Sequence, residues 1–174
     1  GRETAFGAFV RDLVKVGDKL VLVGGLRIDR WQNTRALSAT HFFIPNTRFV
    51  DVFPARGETA FNPQAATLFH ANNRVSVYAS ASSSFRSPTL NELYRTFRVG
   101  NVNTLANAYL RSERATNAEA GINYKLRSFS VRSSVFWTKV DHAVSNVTIS
   151  TTQNLITRQR QNVGATRVAG FEVE

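Results

Sequence analysis

Between Phe85 and Arg114 the chain reads FRSPTLNELYRTFRVGN and then VNTLANAYLRSER. Arg95, Arg98, Arg111 and Arg114 are interleaved there with Tyr94, Phe97 and Tyr109. Guanidinium groups fork onto anionic oxygens, and aromatic rings add stacking and cation–π contacts, so this set suits an anionic or catechol-bearing ligand. Other chemistries lack their parts. His41, His70 and His142 are scattered without ligand spacing, and there is no Cys, so no metal site on protein ligands is expected. Serines are plentiful, but no G-x-S-x-G run or paired carboxylates accompany them, which argues against an enzyme. Asn146-Val147-Thr148 matches a glycosylation pattern that short sequences meet by chance.

The frame that would position these residues is bounded by composition. The chain has 174 residues, 43% of them hydrophobic, enough for one folded unit. No apolar run approaches the roughly 18 residues of a spanning helix. The formal charge of +10 raises nucleic acid as a partner, yet the basic residues fall singly among polar stretches, with no block or helical stripe to fit a groove. No nucleic-acid partner is expected. The chain opens on GRETAFGAF without Met or a signal-like segment and closes on Glu174 inside a strand pattern, which reads as a segment of something longer.

Period-two alternation recurs along the chain and makes strand the dominant element. Leu20, Leu22, Gly24, Leu26 and Ile28 share one face against Arg27 and Asp29. Val75, Val77, Ala79, Ala81 and Phe85 oppose Ser76, Tyr78, Ser80, Ser82, Ser84 and Arg86. The same holds for Ala118, Ala120, Ile122 and Tyr124 against Glu119 and Asn123. Val131, Val135 and Trp137 oppose Arg132 and Ser134, and Val163, Phe171 and Val173 oppose Asn162, Glu172 and Glu174. Two weaker runs, about 4–14 and 59–70, make seven strands in all; the first alternates too poorly to assign its facing.

The connections separate by length. Short turns fall at 16–19, 71–73 and 127–128, and long loops at about 32–58, 87–116 and 141–159, so all short turns lie at one end of an up-and-down sheet. Soluble sandwiches have no reason to sort loops this way, whereas outer-membrane barrels do. The charges Arg27, Asp29, Glu119, Arg132, Glu172 and Glu174 lie mid-strand on the polar face, expected to point into a lumen and to pair with the wall or a plug. Phe61, Phe85 and Trp137 at one end and Phe69, Tyr124 and Phe129 at the other have outward parity, as interfacial girdles do. Trp31 has inward parity and is expected in a loop or after a bulge. The fold class is all-β: an antiparallel up-and-down transmembrane β-barrel segment of about seven strands from a larger barrel. Pro88 ends a strand, and Thr89 with Glu92 forms the T-x-x-E capping box of a short helix through Leu93 and Tyr94.

FRSPTLNELYRTFRVGN, TLANAYLRSERATNAEAGINY and RQRQNVGATRVAGFEVE, in that order, resemble landmarks of the β-barrel of TonB-dependent outer-membrane receptors. The earlier FGAFVRD and LVLVGGLRIDRW resemble the paired strands that precede them, so the likeness covers nearly the whole chain. Ala108 and Ser112 stand where the family carries proline, which loosens a loop turn and leaves the barrel pattern intact. The resemblance implies that residues 1–174 are part of a plugged barrel of about 22 strands. Plug domain, TonB box, signal peptide and C-terminal strands would lie elsewhere. It implies active uptake of a scarce large ligand, most often a ferric siderophore, in the bacterial outer membrane. The implied partners are lipid and lipopolysaccharide, the plug, and the TonB-ExbB-ExbD system. Iron would arrive inside a chelator, and no cofactor is expected. The basic loop residues would meet either the ligand or anionic lipopolysaccharide. A passive porin or structural barrel shares the periodicity and is the alternative.

Overall fold

The computed structural model describes residues 1–42, 44 and 46–174. Seven long strands form the wall: β1 (Arg2–Val16), β2 (Leu20–Thr34), β5 (Arg56–His70), β6 (Val75–Arg86), β9 (Glu113–Lys125), β10 (Ser130–Thr151) and β11 (Ile156–Val173). Each pairs antiparallel with the next. The connections contribute β3 (Leu37–Phe42), β4 (Thr47–Val52), α1 (Leu90–Tyr94), β7 (Phe97–Val99) and β8 (Val102–Leu105).

The seven wall strands are those expected from alternation; the long connections, read as loops with one short helix after Thr89, also contain strand. Within 32–58, β3 and β4 make a separate hairpin. Within 87–116, α1 is followed by β7 and β8, and β8 joins the sheet by pairing parallel to the top of β11, Ile156↔Val102 to Gln159↔Leu105. The third loop is mostly wall. β10 runs 22 residues, and its ladder with β11 extends past Asp141 to Thr151↔Ile156. His142 takes φ 57° inside β10, which interrupts the side-chain pattern without ending the strand. About ten residues suffice to cross a bilayer, so β10 and β11 stand well above it.

Trp31 is neither in a loop nor after a bulge. Both ladders of β2 are unbroken through it, Ala5↔Trp31 and Trp31↔Glu58, so it shares the face of Arg27 and Asp29. Register also settles β1. Gly7 and Phe9 pair with Asp29 and Arg27 and lie on the polar face, whereas Phe6, Val10 and Val14 lie on the other.

The sheet has no core between layers. Its apolar face exposes Leu22, Leu26, Ile28, Phe61, Val77 and Val135. Phe69, Tyr124 and Phe129 lie toward the short turns and Phe61 and Trp137 toward the long connections, and beyond the latter the same face turns polar with Arg30 on Thr59 and the Lys139–Asp141 pair at 2.8 Å. An apolar belt with aromatic margins and charge above it is what a strand wall presents to hydrocarbon. The buried apolar cluster, Ala36, Leu93, Tyr94 and Leu110, lies instead in the connections at the long-loop end. No helix among the described residues is long and apolar enough to cross a membrane.

Candidate ligand site above the barrel wall

The segment from Ser87 to Ser112 folds back over the polar face and is held there by the wall. Pro88 stops β6, and Thr89 caps α1: its Oγ1 accepts from Glu92 N at 3.2 Å while Glu92 Oε2 accepts from Thr89 N at 2.8 Å. Arg86, the last residue of β6, donates to Glu92 at 3.0 Å and Glu113 at 2.6 Å, which ties helix, β6 and β9 together. Burial pushes the Glu92 carboxyl up, but hydrogen bonds from Arg86 and from the Thr89 amide and hydroxyl outweigh it, and the group sits below its ordinary range.

Farther along, Arg160 on β11 donates to the carbonyls of Asn91 at 2.9 Å and Arg95 at 3.1 Å and lies 5.1 Å from the Phe97 ring centroid. Asn162, one pleat away on the same face, accepts from Arg111 N at 2.8 Å and donates to Arg111 O at 3.0 Å. Asn107 Nδ2 donates to Arg160 O at 2.9 Å. On the opposite side, Arg56 of β5 donates to the carbonyls of Ala108 and Leu110 and stacks 5.5 Å over Trp31. Trp31 Nε1 donates to Ser112 Oγ at 3.3 Å, and Ser112 passes its own proton bond to Glu58 at 2.6 Å. Each of these contacts joins residues distant in sequence, so the strap is fixed to β2, β5 and β11 at once.

The seven expected ligand residues divide on this scaffold. Tyr94 is 9% exposed and packs 4.7 Å from the Phe53 ring, with its hydroxyl buried and without a hydrogen-bond partner. Arg114 is committed to Glu58 at 2.7 Å. Arg98 folds onto Gly100 O at 2.9 Å, and Phe97 lies under Arg160. Arg95 is exposed and offers only backbone to Arg160. Tyr109 is 90% exposed, and the Arg111 guanidinium has no partner among the described residues while its backbone is clamped by Asn162. Tyr94, Tyr109 and Arg111 converge with Phe53, Pro54 and Arg56 on one cavity of about 400 Å³. Its apolar floor, two guanidiniums and buried phenol can hold an anionic aromatic group.

Sequence reasoning missed Phe53, Arg56, Glu58 and Arg160 as parts of this region. Arg160 shares the face of Asn162 and Glu172, so its inward parity was readable. Arg56 sits where the polar run 32–58 hid the start of β5.

The charges of the polar face sit as follows. Arg27 pairs with Asp29 at 2.7 Å. Tyr78 Oη donates to Glu119 at 2.6 Å, and Arg132 reaches Glu119 at 3.7 Å while lying over the Tyr78 ring. Glu172 is exposed, and Glu174 meets Arg132 through paired backbone bonds of 2.9 and 3.0 Å. His70 ends β5 and His142 lies in β10; the side chain of His41 is outside the described residues. Among the described residues no three His, Cys, Asp or Glu side chains gather as metal ligands do.

A wall of long meandering strands, apolar on one face and polar on the other, capped by a folded strap at one end, defines the class: a segment of a membrane-spanning up-and-down β-barrel. The family model "TonB dependent receptor-like, beta-barrel" matches residues 1–174, and the chain belongs to that family, whose members are outer-membrane β-barrel receptors and transporters. No curated protein matches the chain. Among solved structures, the Serratia marcescens hemophore receptor HasR, solved with its hemophore HasA and heme, superposes with a TM-score of 0.79 at 18% identity over 98% of this chain and 31% of its own. The copper transporter OprC gives 0.77 at 19% identity over 97% and 26%. The ferric-catecholate import receptor Fiu of E. coli K12 gives 0.70 at 19% over 98% and 25%. At these identities the likeness is one of fold, and the chain spans about a quarter to a third of each.

Proposed function

We propose that these residues are the ligand-facing wall of an outer-membrane transporter that takes up a scarce large ligand, a ferric siderophore fitting best. The energy reaches it through a plug domain and the TonB-ExbB-ExbD system outside this segment. Plug, TonB box, signal peptide and the remaining strands belong to the rest of that protein. The observation that carries the reading is the cavity of about 400 Å³ at the long-loop end, where Tyr94, Tyr109 and Arg111 meet. A catechol or carboxylate presents anionic oxygens on or beside a flat apolar body, and this lining answers both halves. Membership of a TonB-dependent family supports energised transport over a passive barrel. The import of ferric catecholate by Fiu, a protein of the same fold, supports the ligand class.

The test is uptake of a labelled ferric catecholate siderophore by iron-starved cells, with the full gene present or deleted and with TonB present or deleted. Loss of uptake in both deletions is expected. Unchanged uptake without the gene removes the siderophore assignment, and uptake that persists without TonB removes the energy coupling.

A further inference from the structure

The ladder between β5 and β6 stops partway up the wall. Pairing runs from His70↔Ser76 to Gln64↔Ser82 and ends there, although the strands continue to Arg56 and Arg86. On either side the ladders are whole, β2 with β5 as far as Asn33↔Arg56 and β6 with β9 as far as Arg86↔Glu113. The break is thus a separation inside the wall, between two strands each secured on its other edge. Pro63 stands at it, and proline has no N–H to offer a neighbouring strand.

Cavities on the two faces meet at this seam. On the polar face a cavity of about 490 Å³ is bordered by Arg27, Asp29, Asn62 and Ser84. On the apolar face a groove of about 300 Å³ is lined by Pro63, Ala65, Ala81 and Thr116. Gln64, Ser82 and Ser83 border both, and Phe85, outward by alternation, borders the inner cavity. The two cavities therefore flank the same stretch of the wall, one on each face. That stretch lies within the apolar belt, since Pro63 is level with Leu26. Above it the rim is bridged by the Arg114–Glu58 pair at 2.7 Å, which joins β9 to β5 across the top of β6.

A second observation points to an occupant. Asn62 is 7% exposed; its Nδ2 donates to Asp29 at 2.9 Å, but its Oδ1 is buried without a partner. A buried acceptor left unpaired is costly, and here it belongs to a residue that lines the inner cavity. Arg27 and Asp29 neutralise each other beside it, so the missing group is an uncharged donor. The outer groove, open to hydrocarbon and almost without polar lining, takes an alkyl chain.

We propose that the β5–β6 seam is a lateral slot for an uncharged single-chain amphiphile drawn from the membrane. Its hydroxyl or amide head donates to Asn62 inside the wall, and its hydrocarbon chain lies in the outer groove. Nothing in this slot depends on the ligand cavity above, which is built from other residues.

The experiment uses the full-length protein in lipid nanodiscs, titrated with a monoacylglycerol nitroxide-labelled on its chain, with the immobilised fraction read by electron paramagnetic resonance. Saturable immobilisation is expected. Asn62→Leu should weaken it roughly tenfold through loss of one buried hydrogen bond. Ser83→Trp, which fills the groove, should abolish it, and Val77→Trp, on the same face away from the seam, should leave it unchanged. Partitioning no different from empty nanodiscs, or titrations unaltered by both Asn62→Leu and Ser83→Trp, overturns the slot. Separately, the cysteine pair Ala66→Cys/Ser80→Cys, on residues that are paired, should oxidise to a disulfide, and Asn62→Cys/Ser84→Cys should not. Equal cross-linking of both pairs means a closed ladder and overturns the proposal as well.

Discussion

Arg111 and Gly121 show how differently single side chains are constrained in this wall. The Arg111 backbone is clamped on both sides by Asn162, while its guanidinium borders the cavity beside Tyr109. Arg111→Ala should therefore weaken ligand binding by about tenfold, the loss of one charge-assisted contact, with no change in the heat-modifiable mobility of the folded barrel. Equilibrium binding to whole cells together with electrophoresis of unheated samples checks both halves. Gly121 has the opposite character. The Tyr78 phenol lies against it, and a Cβ there would stand 2.6 Å from two ring carbons and the hydroxyl oxygen. Because the phenol is also fixed to Glu119 and Arg132, it cannot swing aside without losing those bonds. Gly121→Ala should destabilise the full barrel by about 1–3 kcal/mol, read as a lower unfolding midpoint in detergent, and Tyr78→Ala in the same background should recover part of it.

The strap from Ser87 to Ser112 owes its position to its anchors. A helix of five residues has no independent stability in water, so α1 exists because its cap and its contacts to β6, β9 and β11 hold it. Thr89→Ala should cost the helix about 1 kcal/mol. Arg160→Ala removes two carbonyl bonds and the Phe97 contact, and should lower amide protection across residues 91–97 by roughly tenfold or more while leaving the β9–β10 ladder unaffected. Hydrogen exchange on the full protein in detergent separates the two. The Glu92 carboxyl adds a pH dependence whose sign is set by its lowered folded pKa. Its contribution to strap stability is fully present above the ordinary carboxylate range and is lost as pH falls through the lowered value. Protection of residues 90–95 should thus hold steady from neutral pH to about pH 5 and decline in more acid solution, and Glu92→Gln should flatten that decline.

The whole sheet depends on surroundings that water does not supply. Among the described residues β1 has no partner on its outer edge along its 15 residues, and β11 is covered beyond β10 only at Ile156–Gln159, by β8. Phe6, Val10, Leu26, Phe61, Val135 and Phe171 face outward and are exposed. Residues 1–174 expressed alone should therefore aggregate in buffer and disperse in detergent, which sedimentation in the two media would show. A monodisperse monomer in buffer would contradict a hydrocarbon-facing wall.

Alternation and connection length were sufficient to read seven wall strands, their order, the polar and apolar faces and the capping box at Thr89, because each depends on neighbours two or three residues apart. The family landmarks are likewise local runs. Position along the chain could not show that 32–58 and 141–159 contain more strand. Polar residues above a membrane no longer alternate with apolar ones, and a single positive φ at His142 mimics an end. Nor could it show which arginines remain available. Arg111 and Arg114 are near neighbours of one type, yet Glu58 of β5 occupies one and leaves the other open. That choice, the buried place of Tyr94, the inward seat of Trp31 and the seam at Pro63 all rest on residues brought together from distant strands. Only tertiary packing decides which side chains share a space, since register and strap docking set distances that sequence separation does not encode.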